Sequence, residues 1–424
     1  MLLIEKIVIK GGKTLKGTVK NSGAKNAVLP VMASTLLADG KYKISNVPDL
    51  KDVRTMSALL NSIGSKVEFE KNSLTVETEG YNNLEAPYDL VKTMRASIYV
   101  LGPMIARFGY AKVSLPGGCA WGPRPVDLHI RGLKELGADI SINKGYIIAK
   151  AKRLHGTRIS FEIPSVGATG NILMAAVLAK GYTIIENAAE EPEITSLVKC
   201  LKKMGAKIKG AGTDRLEIEG VEYLEPADFR VIPDRIEAGT FLVAGHMTGG
   251  DIKITNSKPE YLTAIINKLR KSGAEVNEGK DWVHIRSRGK IDPVDISTAV
   301  YPGFPTDMQA QWMAMMSLAQ GTSVITENIF KDRFTHVAEL KRLGADIEVN
   351  GNVAVIKPVK FLSGAPVMST DLRASASLLL SGLVARGITN VSRIYHIDRG
   401  YEKIEKKFQD LGAEIWRENE KHIT

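Results

Sequence analysis

The chain has 424 residues, 44% apolar and 25% charged, the balance of a globular protein long enough to need two or more hydrophobic cores. No apolar run reaches the roughly 18 residues of a membrane span. Its only cysteines, Cys119 and Cys200, do not make a disulfide framework, and neither sits in the C-x-x-C pair of a thiolate metal site. A formal charge of +10 permits a nucleic acid, an anionic lipid surface or a phosphorylated small molecule as partner. The basic residues stand singly or in short pairs such as Lys202-Lys203, with acids between them, which argues against a nucleic-acid groove.

The first residues, M-L-L-I-E-K-I-V-I-K, alternate like a strand and lack the apolar core and cleavage site of a signal peptide, which favours the cytoplasm. G-G-K-T at Gly11–Thr14 is not a phosphate loop, because Ile7 stands where the first glycine is needed. From Ser22 onward one unit recurs. A glycine closes an amphipathic helix at Gly64, Gly137, Gly205, Gly273, Gly344 and Gly412, at spacings of 73, 68, 68, 71 and 68 residues. Each reads as a C-cap in the left-handed region, followed by an alternating strand. About 24 residues earlier in each copy another glycine (Gly40, Gly109, Gly181, Gly249, Gly321, Gly387) ends a run that is apolar nearly all round, which predicts a buried helix.

The repeating unit is therefore buried helix, strand, amphipathic helix, strand, strand, over about 70 residues. A strand often ends in Asn, as at Asn46, Asn187 and Asn256. Six units predict an α/β protein with two domains of three repeats, the buried helices inside and the sheets and amphipathic helices outside. Residues 22–232 form the first domain. Residues 233–424 form the second, which the N-terminal strands of 1–21 complete.

Fourteen residues before the first glycine of each unit, at the mouth of the buried helix, stand Asn26 (beside Lys25), Arg95, Gly167, Arg235, Asp307 and Arg373. Arginine at a helix N-terminus opposes the macrodipole, so these positions read either as a convergent anion-binding cleft or as structural caps. The second unit is the outlier, with 28 residues between Gly109 and Gly137 against 23 to 25 elsewhere. The extra length falls at Pro116–Arg124, where Gly117-Gly118 and Gly122-Pro123 bracket Cys119. Arg124 can lower that thiol's pKa, so the segment reads as a catalytic loop. Cys200, in S-L-V-K-C-L-K-K-M, reads as a buried structural cysteine.

S-G-A-K-N-A-V-L-P at Ser22–Pro30, P-G-G-C-A-W-G-P-R-P-V-D-L-H at Pro116–His129, P-S-V-G-A-T at Pro164–Thr169, F-P-T-D-M-Q-A-Q at Phe304–Gln311, and D-L-R-A-S-A-S with R-I-Y-H-I-D-R-G-Y-E within Asp371–Glu402 together resemble the UDP-N-acetylglucosamine 1-carboxyvinyltransferases, from the first strand to the last helix. The resemblance implies a two-domain inside-out α/β barrel with substrates bound between the domains. It also implies transfer of the enolpyruvyl group of phosphoenolpyruvate to the 3′-hydroxyl of UDP-N-acetylglucosamine in peptidoglycan synthesis. It implies Cys119 as general acid and Asp307 as base near the 3′-hydroxyl, with Lys25, Arg124 and Arg399 around phosphoenolpyruvate. Asn26, Arg95, Arg124, Pro125, Val126, Asp127, Leu128, Ser165, Val166, Gly167 and Ile329 are implied as the remaining substrate contacts. Arg333, Asp371 and Arg373 match family positions but equally suit structural ion pairs. No cofactor, metal, nucleic acid or membrane is expected, and the protein is expected to be a monomer.

Ala120, Trp121 and Ile163 depart from the residues common in relatives without touching that chemistry. 5-Enolpyruvylshikimate-3-phosphate synthase shares the repeats and mechanism but lacks the cysteine loop and the R-P-V-D-L-H segment. A weakly active paralogue is the other alternative, because intact motifs do not measure rate.

Overall fold

The computed structural model describes residues 5–81, 83–115 and 126–419; Cys119, Ala120, Trp121, Arg124 and Pro125 lie outside them. The chain divides into two compact units, residues 23–232 and residues 1–22 with 233–424, each with a hydrophobic core of its own. Six four-stranded sheets are present among the described residues, three in each unit.

The buried helices are the apolar runs. In Arg235–Met247 every residue from Ile236 to Met247 is buried, and Ser375–Val384 and Val166–Ala176 are covered almost as completely. Small residues let them approach: Gly102 leaves room for the Asn171 carbonyl, which would lie 2.2 Å from an added Cβ. The amphipathic helices bury one stripe. Pro192–Lys203 covers Ile194, Leu197, Val198, Cys200 and Leu201 while Lys202 and Lys203 face water, each large covered side chain contributing about 1.5–3 kcal/mol.

The glycines that close these helices, Gly64, Gly137, Gly205, Gly273, Gly344 and Gly412, all have positive φ, between 94° and 123°. A side chain there would be strained, so the periodicity of Gly in the sequence is a periodicity of left-handed caps.

One strand per sheet is missing from the repeat as read in the sequence. Each sheet carries a parallel edge strand of two to five residues, such as Phe229–Arg230 beside Gly40–Ser45, or Arg158–Ser160 beside Tyr182–Glu186. Asn46, Asn187 and Asn256 fasten these edges. Each has left-handed φ (57°, 53° and 50°) and donates its side-chain amide, at 2.8 Å, to the carbonyl just past the edge strand, on Val231, Phe161 and Asn21.

The edge strand that serves residues 40–78 comes from residues 229–230, so residues 23–232 close on themselves. The other unit takes two strands from the N-terminus. Lys16–Lys20 pairs in parallel with Asp251–Thr255, and Glu5–Lys10 lies between Ile388–Ser392 and Glu414–Asn419, antiparallel to both. Among the described residues no helix is long and apolar enough to cross a membrane.

Candidate functional site

Within residues 23–232, three helix mouths come together. Lys25 opens the helix Lys25–Ser34 and is buried; its Nζ lies 3.0 Å from Oδ2 of Asp52, itself 1% exposed on the next helix. Gly23, two residues upstream, must be glycine because an added Cβ would stand 1.8 Å from the Asn46 carbonyl oxygen. Asn26 follows Lys25 and is half-buried. Arg95 opens the 3-10 turn Arg95–Val100, which packs on the Lys25 helix.

His129 and Asn171, neither singled out in the sequence, tie that turn to the other two predicted segments. The Asn171 side-chain amide donates to the Ile98 carbonyl at 2.9 Å and to His129 Nδ1 at 2.9 Å, while Asn171 Oδ1 accepts from the Gly102 amide at 2.6 Å. Burial, and secondarily the Arg95 charge, push the His129 pKa down to about 3, so the imidazole is neutral and Nδ1 can accept that bond. Its other edge faces Gly167, where an added Cβ would stand 3.1 Å from Nε2. Gly167 is in the first turn of Val166–Ala176, which Ser165 caps by accepting from the Ala168 amide at 3.3 Å. Tyr99, from the Arg95 turn, donates its hydroxyl to the Val166 carbonyl at 3.4 Å.

Thus Arg95, the Val126-Asp127-Leu128 segment that opens the helix Asp127–Glu135, and Ser165–Gly167 are held together through two buried polar side chains. The free amides opening the Val166 helix suit a phosphate oxygen. Cys119, Arg124 and Pro125 precede this segment, outside the described residues.

The second constellation lies in the other unit and centres on Asp307, in the 3-10 turn Thr306–Met308 before the helix Gln309–Met316. Arg333 Nη1 stands 2.8 Å from Asp307 Oδ1 and Arg373 Nε 3.8 Å from Oδ2. Burial alone would raise the pKa of Asp307; Arg333, Arg373 and Arg235 outweigh it and hold the carboxyl well below the usual carboxylate range. A quarter of the side chain (24%) reaches solvent. A fixed carboxylate that stays ionised and accessible can accept a proton or orient a hydroxyl.

Arg373 is 2% exposed and is pinned by Asp234 Oδ2 at 2.9 Å and the Gly400 carbonyl at 2.9 Å. Asp234 also caps the helix Arg235–Met247, accepting from the amides of Ile236 and Glu237 at 2.8 and 3.1 Å. Arg333 also reaches Asp371 Oδ1 at 3.8 Å. Here Arg333 and Arg373 turn to carboxylates of their own unit in an ion-pair network. Arg399 ends the turn Ile394–Arg399, directly before the Gly400 carbonyl that Arg373 holds.

Glu327, unnoticed in the sequence, is fully buried and anchors the neighbouring loop. It accepts from Thr298 and Thr306 hydroxyls at 2.7 and 2.8 Å and from the amides of Ile329 and Phe330 at 2.9 and 3.1 Å. Those bonds fix Ile329 and connect its loop to the Asp307 turn. Among the described residues no group of His, Cys, Asp and Glu could hold a metal ion.

The family model for EPSP synthase (3-phosphoshikimate 1-carboxyvinyltransferase) matches residues 9–408. Proteins named UDP-N-acetylglucosamine 1-carboxyvinyltransferase from Geotalea uraniireducens and Thermodesulfovibrio yellowstonii are each 56% identical to the chain, and that of Geobacter metallireducens 57%. In each case the match spans 98% of this chain and 100% of the relative. The chain belongs to the UDP-N-acetylglucosamine 1-carboxyvinyltransferase family. Solved structures agree on the fold. The enolpyruvyl transferase NikO from Streptomyces tendae superposes with a TM-score of 0.89 at 25% identity, over 99% of this chain and 100% of that one. EPSP synthase from Acinetobacter baumannii superposes with a TM-score of 0.74 at 18% identity, over 98% and 100%. Membership among the UDP-N-acetylglucosamine 1-carboxyvinyltransferases makes the protein a transferase with the enolpyruvyl transferase fold.

Proposed function

We propose that this protein transfers the enolpyruvyl group of phosphoenolpyruvate to the 3′-hydroxyl of UDP-N-acetylglucosamine and releases phosphate. The observation that carries the reading is Asp307, an ionised, partly accessible carboxylate gripped by Arg333 and approached by Arg373, in a chain more than half identical to this family over nearly its full length.

The hydroxyl oxygen attacks C2 of phosphoenolpyruvate while Cys119 delivers a proton to C3, since an enol carbon becomes electrophilic only as its neighbour is protonated. Asp307 takes the proton of the hydroxyl. Once Asp307 has passed that proton to solvent it takes a proton from C3 of the tetrahedral intermediate as phosphate is expelled, restoring the double bond, and the Cys119 thiolate is reprotonated from solvent. Lys25, Arg124 and Arg399 neutralise the carboxylate and phosphate of phosphoenolpyruvate, with Asn26 beside them. Arg95, Arg124, Pro125, Val126, Asp127, Leu128, Ser165, Val166, Gly167 and Ile329 hold the sugar nucleotide. The product enters peptidoglycan synthesis, and with it cell shape and division, in the cytoplasm; the protein acts as a monomer and needs no cofactor.

The test mixes the protein with both substrates and follows phosphate release, beside Cys119→Ser. Release that requires both substrates and is lost in the variant supports the reading. No release, or release with shikimate 3-phosphate in place of the amino sugar nucleotide, overturns it.

A further inference from the structure

The turn that carries Arg399 is clamped on both sides by arginines. On one side Arg373 donates to the Gly400 carbonyl at 2.9 Å. On the other Arg417, in the strand Glu414–Asn419, forks onto the carboxylate of Asp398: Nη1 lies 3.2 Å from Oδ2 and Nη2 2.6 Å from Oδ1. The same guanidinium faces Glu405, with Nη2 at 3.0 Å from Oε2 and Nε at 2.9 Å from Oε1, and Glu5 Oε2 at 3.4 Å from Nη1. Glu405 is buried in the first turn of the helix Ile404–Asp410.

The turn is flanked by two strained backbone positions. It begins at Arg393, a non-glycine residue with φ of 56°, and is followed by Lys403 with φ of 44°. Both are in the left-handed region, which costs a side chain energy and persists only where surrounding contacts fix it. A planar guanidinium bound bidentately to one carboxylate and gripping a second sets direction as well as distance, which a lysine cannot reproduce. Arg417 therefore fastens the last strand, the helix Ile404–Asp410 and the Arg399 turn into one piece.

We propose that Arg417 is a positioning residue for the reaction, acting through Asp398 on Arg399 and hence on the phosphoenolpyruvate anion; this rests on the function proposed above. A misplaced cation loses transition-state and substrate contacts steeply with distance. The sugar-nucleotide contacts proposed above include no residue of this clamp.

The test measures KM for each substrate and kcat in wild type, Arg417→Lys, Arg417→Met and Asp398→Asn, with thermal unfolding of each. The expected result is a KM for phosphoenolpyruvate raised about tenfold in Arg417→Met and Asp398→Asn, and only partly restored in Arg417→Lys. KM for UDP-N-acetylglucosamine should stay within about twofold, and a double variant combining Arg417→Met with Asp398→Asn should be no worse than the poorer single one. Asp398→Asn keeps the side-chain volume and supplies the answer if Arg417→Met does not fold. Unchanged KM for phosphoenolpyruvate in folded Asp398→Asn, or equal rises for both substrates, overturns the positioning role and leaves the function intact. A wild type that releases no phosphate overturns both.

Discussion

Arg333 binds Asp307 through the same nitrogen that binds Thr306: Nη1 is 2.8 Å from Asp307 Oδ1 and 3.0 Å from Thr306 Oγ1. Because Thr306 also donates to the buried Glu327, the cation beside the proposed base is anchored to the loop that carries Ile329. Removing it in Arg333→Met takes a positive charge from the carboxylate, so the pKa of Asp307 rises. The acid limb of kcat/KM should move to higher pH. A pH–rate profile unchanged in position would separate Arg333 from the ionisation of Asp307.

Asp307→Asn keeps the shape and loses the charge. Turnover should fall by at least about a hundredfold, the scale of a positioned general base, while equilibrium binding of UDP-N-acetylglucosamine changes only a few-fold. Full activity in this variant would take Asp307 out of the mechanism.

The two cysteines should be chemically distinguishable. Cys200 is 3% exposed and burial pushes its thiol up to about 12, so it is neutral and shielded at neutral pH. Alkylation of the native protein near pH 8, read by mass spectrometry, should modify one thiol. Cys119→Ser should abolish that label and Cys200→Ala should leave it; labelling at Cys200 would contradict its burial.

His129 makes stability depend on pH in a defined window. Its folded pKa of about 3 is depressed from an unfolded value near 6.5, so the folded state refuses a proton that the unfolded state accepts. The stability this contributes is complete above about pH 6.5 and is lost as pH falls towards 3, at roughly 1 kcal/mol per unit. Denaturant titrations between pH 6.5 and 4.5 should show a slope shallower by about that amount in His129→Gln. An equal slope in the variant would mean that His129 is already protonated in the folded protein.

The repeat was readable because its punctuation is steric. A left-handed cap admits little but glycine, so Gly64 and its five counterparts survive as a period in the sequence. The edge strands were not readable: Glu85–Ala86, Phe229–Arg230 and Ile296–Ser297 are two residues each, too short to show alternation. Asn46, Asn187 and Asn256 read as strand ends, but what they fasten lies up to 235 residues away. The site divides in the same manner. Charges at helix mouths stood out against apolar runs, so Lys25, Arg95, Asp307 and Arg373 were visible. Asp234, 139 residues before its partner Arg373, and Glu327, whose work is to accept four hydrogen bonds out of sight of solvent, have no local signature. His129 stood inside a recognised segment, yet its role depends on Asn171, which a sequence does not pair with it.

The sheet formed by Glu5–Lys10 between Ile388–Ser392 and Glu414–Asn419 has a consequence for synthesis. Residues 23–232 contain every strand of their three sheets and can be completed while the remainder is still on the ribosome. Residues 5–10 emerge before them and must wait, without a partner, until residues 388–419 are translated. The half bearing Asp307 and Arg399 is thus completed only after residues 388–419 are made, and synthesis interrupted before them leaves that half without one of its sheets while residues 23–232 hold all the strands of theirs.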